Sequence, residues 1–166
     1  DGHTPLGGLV TDGSALYGTT ESGGINQAGT IFRLNFDGSG YQLLHRFYEL
    51  TEGRDPRHLT IVGSQLFGTT DSGGAFNHGT LFALGTDGSG FRRVHSFGPG
   101  PDNGTPAMRI IVSEDSLYGT VQFGGANDGG GVYSLVLPAT FAASEFNEPS
   151  PGSGNYQSGP LSEELG

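Results

Sequence analysis

Leu66-Phe67-Gly68-Thr69-Thr70-Asp71-Ser72-Gly73-Gly74, followed by Gly79-Thr80-Leu81-Phe82-Ala83-Leu84, decides how this chain is read, because it occurs three times. The first copy is Leu16-Tyr17-Gly18-Thr19-Thr20-Glu21-Ser22-Gly23-Gly24, then Gly29-Thr30-Ile31-Phe32-Arg33-Leu34. The third is Leu117-Tyr118-Gly119-Thr120, Gly124-Gly125 and Gly130-Gly131-Val132-Tyr133-Ser134-Leu135. From the leading Leu to the Gly that opens the second half is 13 residues in all three, and the copies start 50 and then 51 residues apart. A period of that length marks a stacked or circular array of small β units, so the repeat is read before any single residue.

Working outward, each copy is preceded by a turn and a short apolar strand. The turns are Asp1-Gly2-His3-Thr4-Pro5, Asp55-Pro56 and Asn103-Gly104-Thr105-Pro106, in which Asp or Asn satisfies the local backbone, Gly allows positive φ and Pro sets φ at a strand entry. The strands that follow span residues 6–10, 58–62 and 108–112. Thr11-Asp12-Gly13-Ser14, Gly63-Ser64 and Ser113-Glu114-Asp115-Ser116 connect them to the Leu-aromatic-Gly-Thr strand. Two-residue periodicity there turns Leu16, Gly18 and Thr20 one way and Tyr17 and Thr19 the other. A Gly at a fixed strand position implies that a neighbouring backbone or ring lies close over it, as tight packing of one sheet on the next requires.

After the Gly-Gly loop comes a third strand, residues 30–35 and 80–85. Asp37-Gly38-Ser39-Gly40 and Asp87-Gly88-Ser89-Gly90 then return the chain into a fourth, residues 41–47 and 91–97. The expected fold is therefore all-β: about three four-stranded antiparallel, blade-like repeats of roughly 50 residues, β-propeller-like and incomplete or open. The third unit breaks off at Pro138, where its last turn should begin. The domain is read as residues 1–143, with units at about 1–50, 51–100 and 101–143. Residues 144–166, rich in Gly, Pro, Ser, Asn and Glu, read as an extended tail or linker.

Composition agrees with many short strands: 32 of 166 residues are Gly and only 14% are charged. A formal charge of −10 with seven Lys and Arg argues against a nucleic-acid partner, whose phosphates require clustered cations. No apolar run approaches the roughly 20 residues needed to span a bilayer. The start at Asp1, without Met or a signal-like segment, reads as a processed chain or a fragment. Absence of Cys removes disulfides and thiolate chemistry, and the low charge with abundant Gly, Ser and Thr leans towards an extracellular or cell-surface location.

Together these motifs resemble the GloVer tandem-repeat (choice-of-anchor) bacterial proteins, whose repeats read Leu-Tyr-Gly-Thr-Thr, Gly-Gly, Gly-Thr-(Val/Ile)-Phe-x-Leu, Asp-Gly and His-x-Phe. His45-Arg46-Phe47 and His95-Ser96-Phe97 supply the last element. The resemblance covers roughly residues 1–137. It implies a secreted or surface-anchored bacterial chain with β-propeller-like repeats, and it brings no agreed enzymatic activity and no catalytic residues to transfer.

Candidate chemistry is sparse. Glu21 and Asp71 are matched carboxylates beside the Gly-Gly loops, but Gln122 stands in the third copy; recurrence in register points to a capping or loop hydrogen-bond role. The Asp-Gly-Ser-Gly turns begin like a calcium loop yet lack its remaining ligands, so a plain hairpin turn is expected. His45 and His95 occupy equivalent strand positions, read as histidines hydrogen-bonded to a loop, while His3, His58 and His78 stand apart and no pair has local metal-site spacing. No catalytic, metal or cofactor residue is assigned, and no cofactor is expected. Asn103, in Asn103-Gly104-Thr105, is the one candidate N-glycosylation site, and the Ser and Thr of the tail are candidates for O-linked sugars.

Closed propellers use about four to eight blades, so three units leave faces and edges open. Phe141, Phe146, Tyr156 and Leu161 are the apolar anchors of a tail suited to strand addition in a neighbouring copy. The expected function is that of a non-enzymatic extracellular structural protein, self-assembling head to tail into a filament or ring through β-strand or tail complementation. The alternative is a carbohydrate-binding or adhesive module of a bacterial surface protein, its exposed aromatic rings stacking on glycans.

Overall fold

The structure, a computed structural model, describes residues 2–24, 26–99, 104–113, 116–124 and 128–137. Unit 1 holds β1 (Gly2–His3), β2 (Val10–Thr11), β3 (Leu16–Thr20), β4 (Ser22–Gly23), β5 (Thr30–Leu34) and β6 (Gln42–Arg46). A short helix, α1 (Glu49–Glu52), leads to unit 2: β7 (Arg54–Val62), β8 (Gln65–Ser72), β9 (Thr80–Gly85) and β10 (Arg92–Ser96). Unit 3 contributes β11 (Pro106–Ser113), β12 (Ser116–Val121) and β13 (Gly131–Val136). The sheets run in order β2-β3-β5-β6, β7-β8-β9-β10 and β11-β12-β13, all antiparallel, and β1 pairs with β4. This is the all-β, blade-like repeat array that the sequence implies, with three strands in the third sheet among the described residues.

Turn chemistry fixes the register. Asp37 Oδ1 accepts from Ser39 N at 2.9 Å and Ser39 Oγ at 2.7 Å, and Asp87 holds Ser89 through the same two bonds at 2.9 and 2.7 Å. Gly38 and Gly88 take φ of 82° and 87° in these turns, which a side chain would resist. The Gly-Gly loops close identically in all three units: Gly29, Gly79 and Gly130 each donate N–H to Gly23, Gly73 and Gly124 at 3.2 Å.

Four details depart from the sequence reading. The inner strand of unit 1 is only Val10–Thr11, because Leu6 N turns back onto Thr4 O at 3.0 Å and Gly7 and Gly8 add no side chains to hold an extended run. The positive φ in the Pro turns falls on Thr4 (61°) and Asp55 (57°), directly before Pro5 and Pro56, and not on a glycine. Helix α1 has no expected counterpart; it is held by Glu52, whose Oε2 takes the Tyr48 N–H at 3.0 Å and bonds His45 Nε2 at 2.9 Å. Finally, the ring over the strand glycine comes from the same sheet. Gly18, Gly68 and Gly119 sit opposite Phe32, Phe82 and Tyr133, and an added Cβ would stand 2.6, 2.5 and 2.3 Å from those rings or the Tyr133 hydroxyl.

The core lies between the sheets as two clusters. One joins Tyr17, Ile31 and Phe47 of unit 1 to Leu59, Leu66, Phe82 and Leu84 of unit 2. The other joins Phe67, Leu81, Ala83 and Phe97 of unit 2 to Ile110, Leu117 and Tyr133 of unit 3. Strand alternation explains the division: in β8 and β9, even-numbered residues face unit 1 and odd-numbered ones face unit 3. Each buried Phe or Leu contributes about 1.5–3 kcal/mol, so these contacts outweigh any polar link between units.

Candidate functional site

The residues singled out in the sequence resolve into the machinery of the repeat. Glu21 and Asp71 do not form an acid–base pair, because Arg57 on β7 reaches between them, Nη1 to Glu21 Oε1 and Nη2 to Asp71 Oδ2. One guanidinium thus ties the end of β3 to β8 across the first unit boundary. His45 stacks on Phe91 of unit 2 with 3.7 Å between centroids and a 5° interplanar angle, while its Nε2 engages Glu52. His95 meets Phe97 edge to face at 5.0 Å, as His45 meets Phe47 at 5.1 Å. Asn103, Phe141, Phe146, Tyr156 and Leu161 lie outside the described residues.

Threonines supply the polar half of each boundary. Thr19 Oγ1 donates to Arg57 O at 2.9 Å, and Thr60 Oγ1 donates to Ile110 O at 2.8 Å. Within the units, Thr20 and Thr30 share a buried hydroxyl pair at 2.8 Å and Thr70 and Thr80 one at 3.0 Å; Thr70 Oγ1 also takes the Thr80 N–H at 2.9 Å. Such buried hydroxyls are stable only when bonded, and the repetition fixes both partners at once.

Two faces remain at the ends of the stack. Tyr118, Val132 and Thr120 of unit 3 stand in register with Phe67, Leu81 and Thr69 of unit 2. In unit 2 these are buried, Phe67 and Leu81 to 1%; in unit 3 Tyr118 is 38% exposed, Val132 49% and neighbouring Val136 67%. The opposite end shows the converse. Leu59 is 4% exposed, whereas its counterpart Leu9 is 54% exposed, and Tyr41, in register with packed Phe91, is 52% exposed. Phe32 and Tyr41 are already stacked at 5.7 Å and 27°, as Phe82 and Phe91 are at 5.9 Å and 24°. These surface residues escaped the sequence reading, although comparing equivalent positions between repeats was the signal that would have found them.

A groove of about 490 Å3 runs over the inner strands, lined by Leu9, His58, Leu59, Arg109 and Ile111 among others. Burial, with Arg109 and Arg57 nearby, lowers the His58 pKa below its ordinary 6.5. A second hollow of about 500 Å3 is lined by Asn26, Tyr48, Glu49, Leu50 and Thr51. Among the described residues, no group of three or more His, Asp and Glu is placed to hold a metal, and no helix is long and apolar enough to cross a membrane.

Among proteins with curated descriptions, none matches this chain. The family model described as the Gloeobacter/Verrucomicrobia repeat matches residues 1–162, nearly the whole length and every unit described above. With its three registered copies of one antiparallel plan, the chain belongs to the Gloeobacter/Verrucomicrobia repeat family.

Proposed function

We propose that this is a non-enzymatic extracellular structural protein whose copies assemble head to tail into a ring or filament, with a strand supplied by the tail completing the third sheet. The observation that carries the reading is the sheet order. β5 and β9 are each flanked by a fourth strand, whereas β13 has no strand on its far side among the described residues. An unpaired edge offers a row of N–H and C=O groups to an incoming strand, and main-chain bonds then provide affinity. The ion pairs of Glu21 and Asp71 with Arg57 add support, since they commit to architecture the carboxylates otherwise suited to acid–base work. Deletion of residues 144–166 is expected to abolish assembly seen by light scattering and electron microscopy. An unchanged assembly would remove the tail from the account.

A carbohydrate-binding role is the second reading, favoured by the hollow at Tyr48. Its half-exposed ring stands beside Asn26 and Glu49, a combination of stacking surface and polar groups that suits a sugar. A glycan array giving hits that Tyr48→Ala abolishes supports this reading; an array without hits counts against it.

A further inference from the structure

We infer that the two end faces are the halves of one interface, so that the Tyr118–Val132–Val136 face of one copy seats the Leu9–Phe32–Tyr41 face of a second copy of this chain. This deepens the assembly reading and rests on it, adding two named sheet faces to the edge contact made by the tail strand.

The argument is continuity with an interface the molecule builds twice. At the first boundary Phe47 meets Phe82 at 5.0 Å and 68°; at the second, Phe97 meets Tyr133 at 5.0 Å and 67°. The same receiving face of unit 1 is present, with Phe32 and Tyr41 already stacked in the geometry of Phe82 and Phe91 and without a covering sheet among the described residues. Of the donating face, unit 3 presents the part built by β12 and β13, with Tyr118, Val132 and Val136 exposed; the Phe that follows the fourth strand in units 1 and 2 has no counterpart among its described residues. β12 alternates between buried and exposed along Leu117, Tyr118, Gly119 and Thr120, whereas its counterpart β8 is buried on both faces. Thr19 and Thr69 are each 1% exposed, Thr19 donating across a boundary, while Thr120 at the same position is exposed. An apolar face whose equivalents are buried is a docking surface by the chemistry of the fold itself.

Because the halves differ, the contact is heterologous: each copy offers one of each, and a chain of contacts follows. That gives a specific test with the full-length protein. Tyr118→Lys blocks the donating face and Tyr41→Lys the receiving face, at positions exposed enough to leave the fold intact, checked by circular dichroism; Val132→Lys serves as a second donating-face variant. By sedimentation velocity, each variant alone is expected to associate at least about tenfold more weakly than the parent chain. An equimolar mixture of Tyr118→Lys and Tyr41→Lys is expected to form a 1:1 dimer and nothing larger, since one intact half survives on each. If the parent chain associates and the folded variants associate equally well, this interface is wrong while the assembly reading stands. If the parent chain remains monomeric at high concentration, the assembly reading fails and takes the interface with it.

Discussion

The Phe97 ring of unit 2 stands edge to face against Tyr133 of unit 3, 5.0 Å between centroids. Tyr133 also covers Gly119 and buries its hydroxyl, so a single side chain closes its own sheet and receives the preceding one. Every boundary uses this arrangement, and the consequences can be measured.

Gly68→Ala is expected to destabilise the protein by about 1–3 kcal/mol, the usual range for overpacking. Its φ lies outside the left-handed range, so strain is purely steric: the new Cβ would lie 2.5 Å from Phe82 Cζ in the first core cluster. Urea denaturation compares it with Gly63→Ala, where no atom lies within 4 Å and the loss comes from the φ of 57° alone.

Thr70→Val is expected to remove about 1–3 kcal/mol, because the buried Thr80 N–H and hydroxyl lose a partner without access to water. Thr70→Ser keeps the hydroxyl and is expected to restore most of the difference in the same denaturation assay.

Arg57→Met is expected to reduce stability by about 1 kcal/mol, a modest value because the side chains of Arg57, Glu21 and Asp71 are all partly exposed. Arg57→Lys, with a point charge in place of a fork, is expected to recover only part of it. High salt should narrow the gap between variant and parent.

Stability is expected to form a plateau with pH and to fall at both ends. His58, by burial first and then the neighbouring Arg109 and Arg57, and Asp12, by the Tyr17 hydroxyl first and then Ser14, have lowered folded pKa values. For such groups the unfolded state binds more protons, so their contribution is present above the unfolded pKa and lost as pH falls, first below about 6.5 for His58 and then below about 4 for Asp12. Tyr17 and Tyr133 are raised, mainly by burial, so their contribution is present below about 10 and lost as pH rises further. Thermal melts across pH 3–11 check both limbs; His58→Gln should flatten the first acid step.

The repeat, its period and its strand order were legible because each rests on local chemistry: Asp37 and Asp87 write the turn, and Leu-aromatic-Gly-Thr writes the strand beneath a ring. Contacts between units were not legible. Nothing near Arg57 in sequence announces that it will reach Glu21, 36 positions away, and the four residues of α1 are too few to carry a helical period. That three units leave faces open was legible, but which residues form those faces was not, for a related reason. Tyr118 looks like Tyr17 in the sequence but has no further sheet over it among the described residues.

Oxidative footprinting of the parent chain across a dilution series tests the central claim most directly, since it reads Tyr41, Tyr118 and Tyr48 in one sample. The account predicts that Tyr41 and Tyr118 become protected together as concentration rises, while Tyr48, on neither end face, stays reactive. Association with Tyr41 and Tyr118 still fully reactive, or no protection at any concentration, would contradict it.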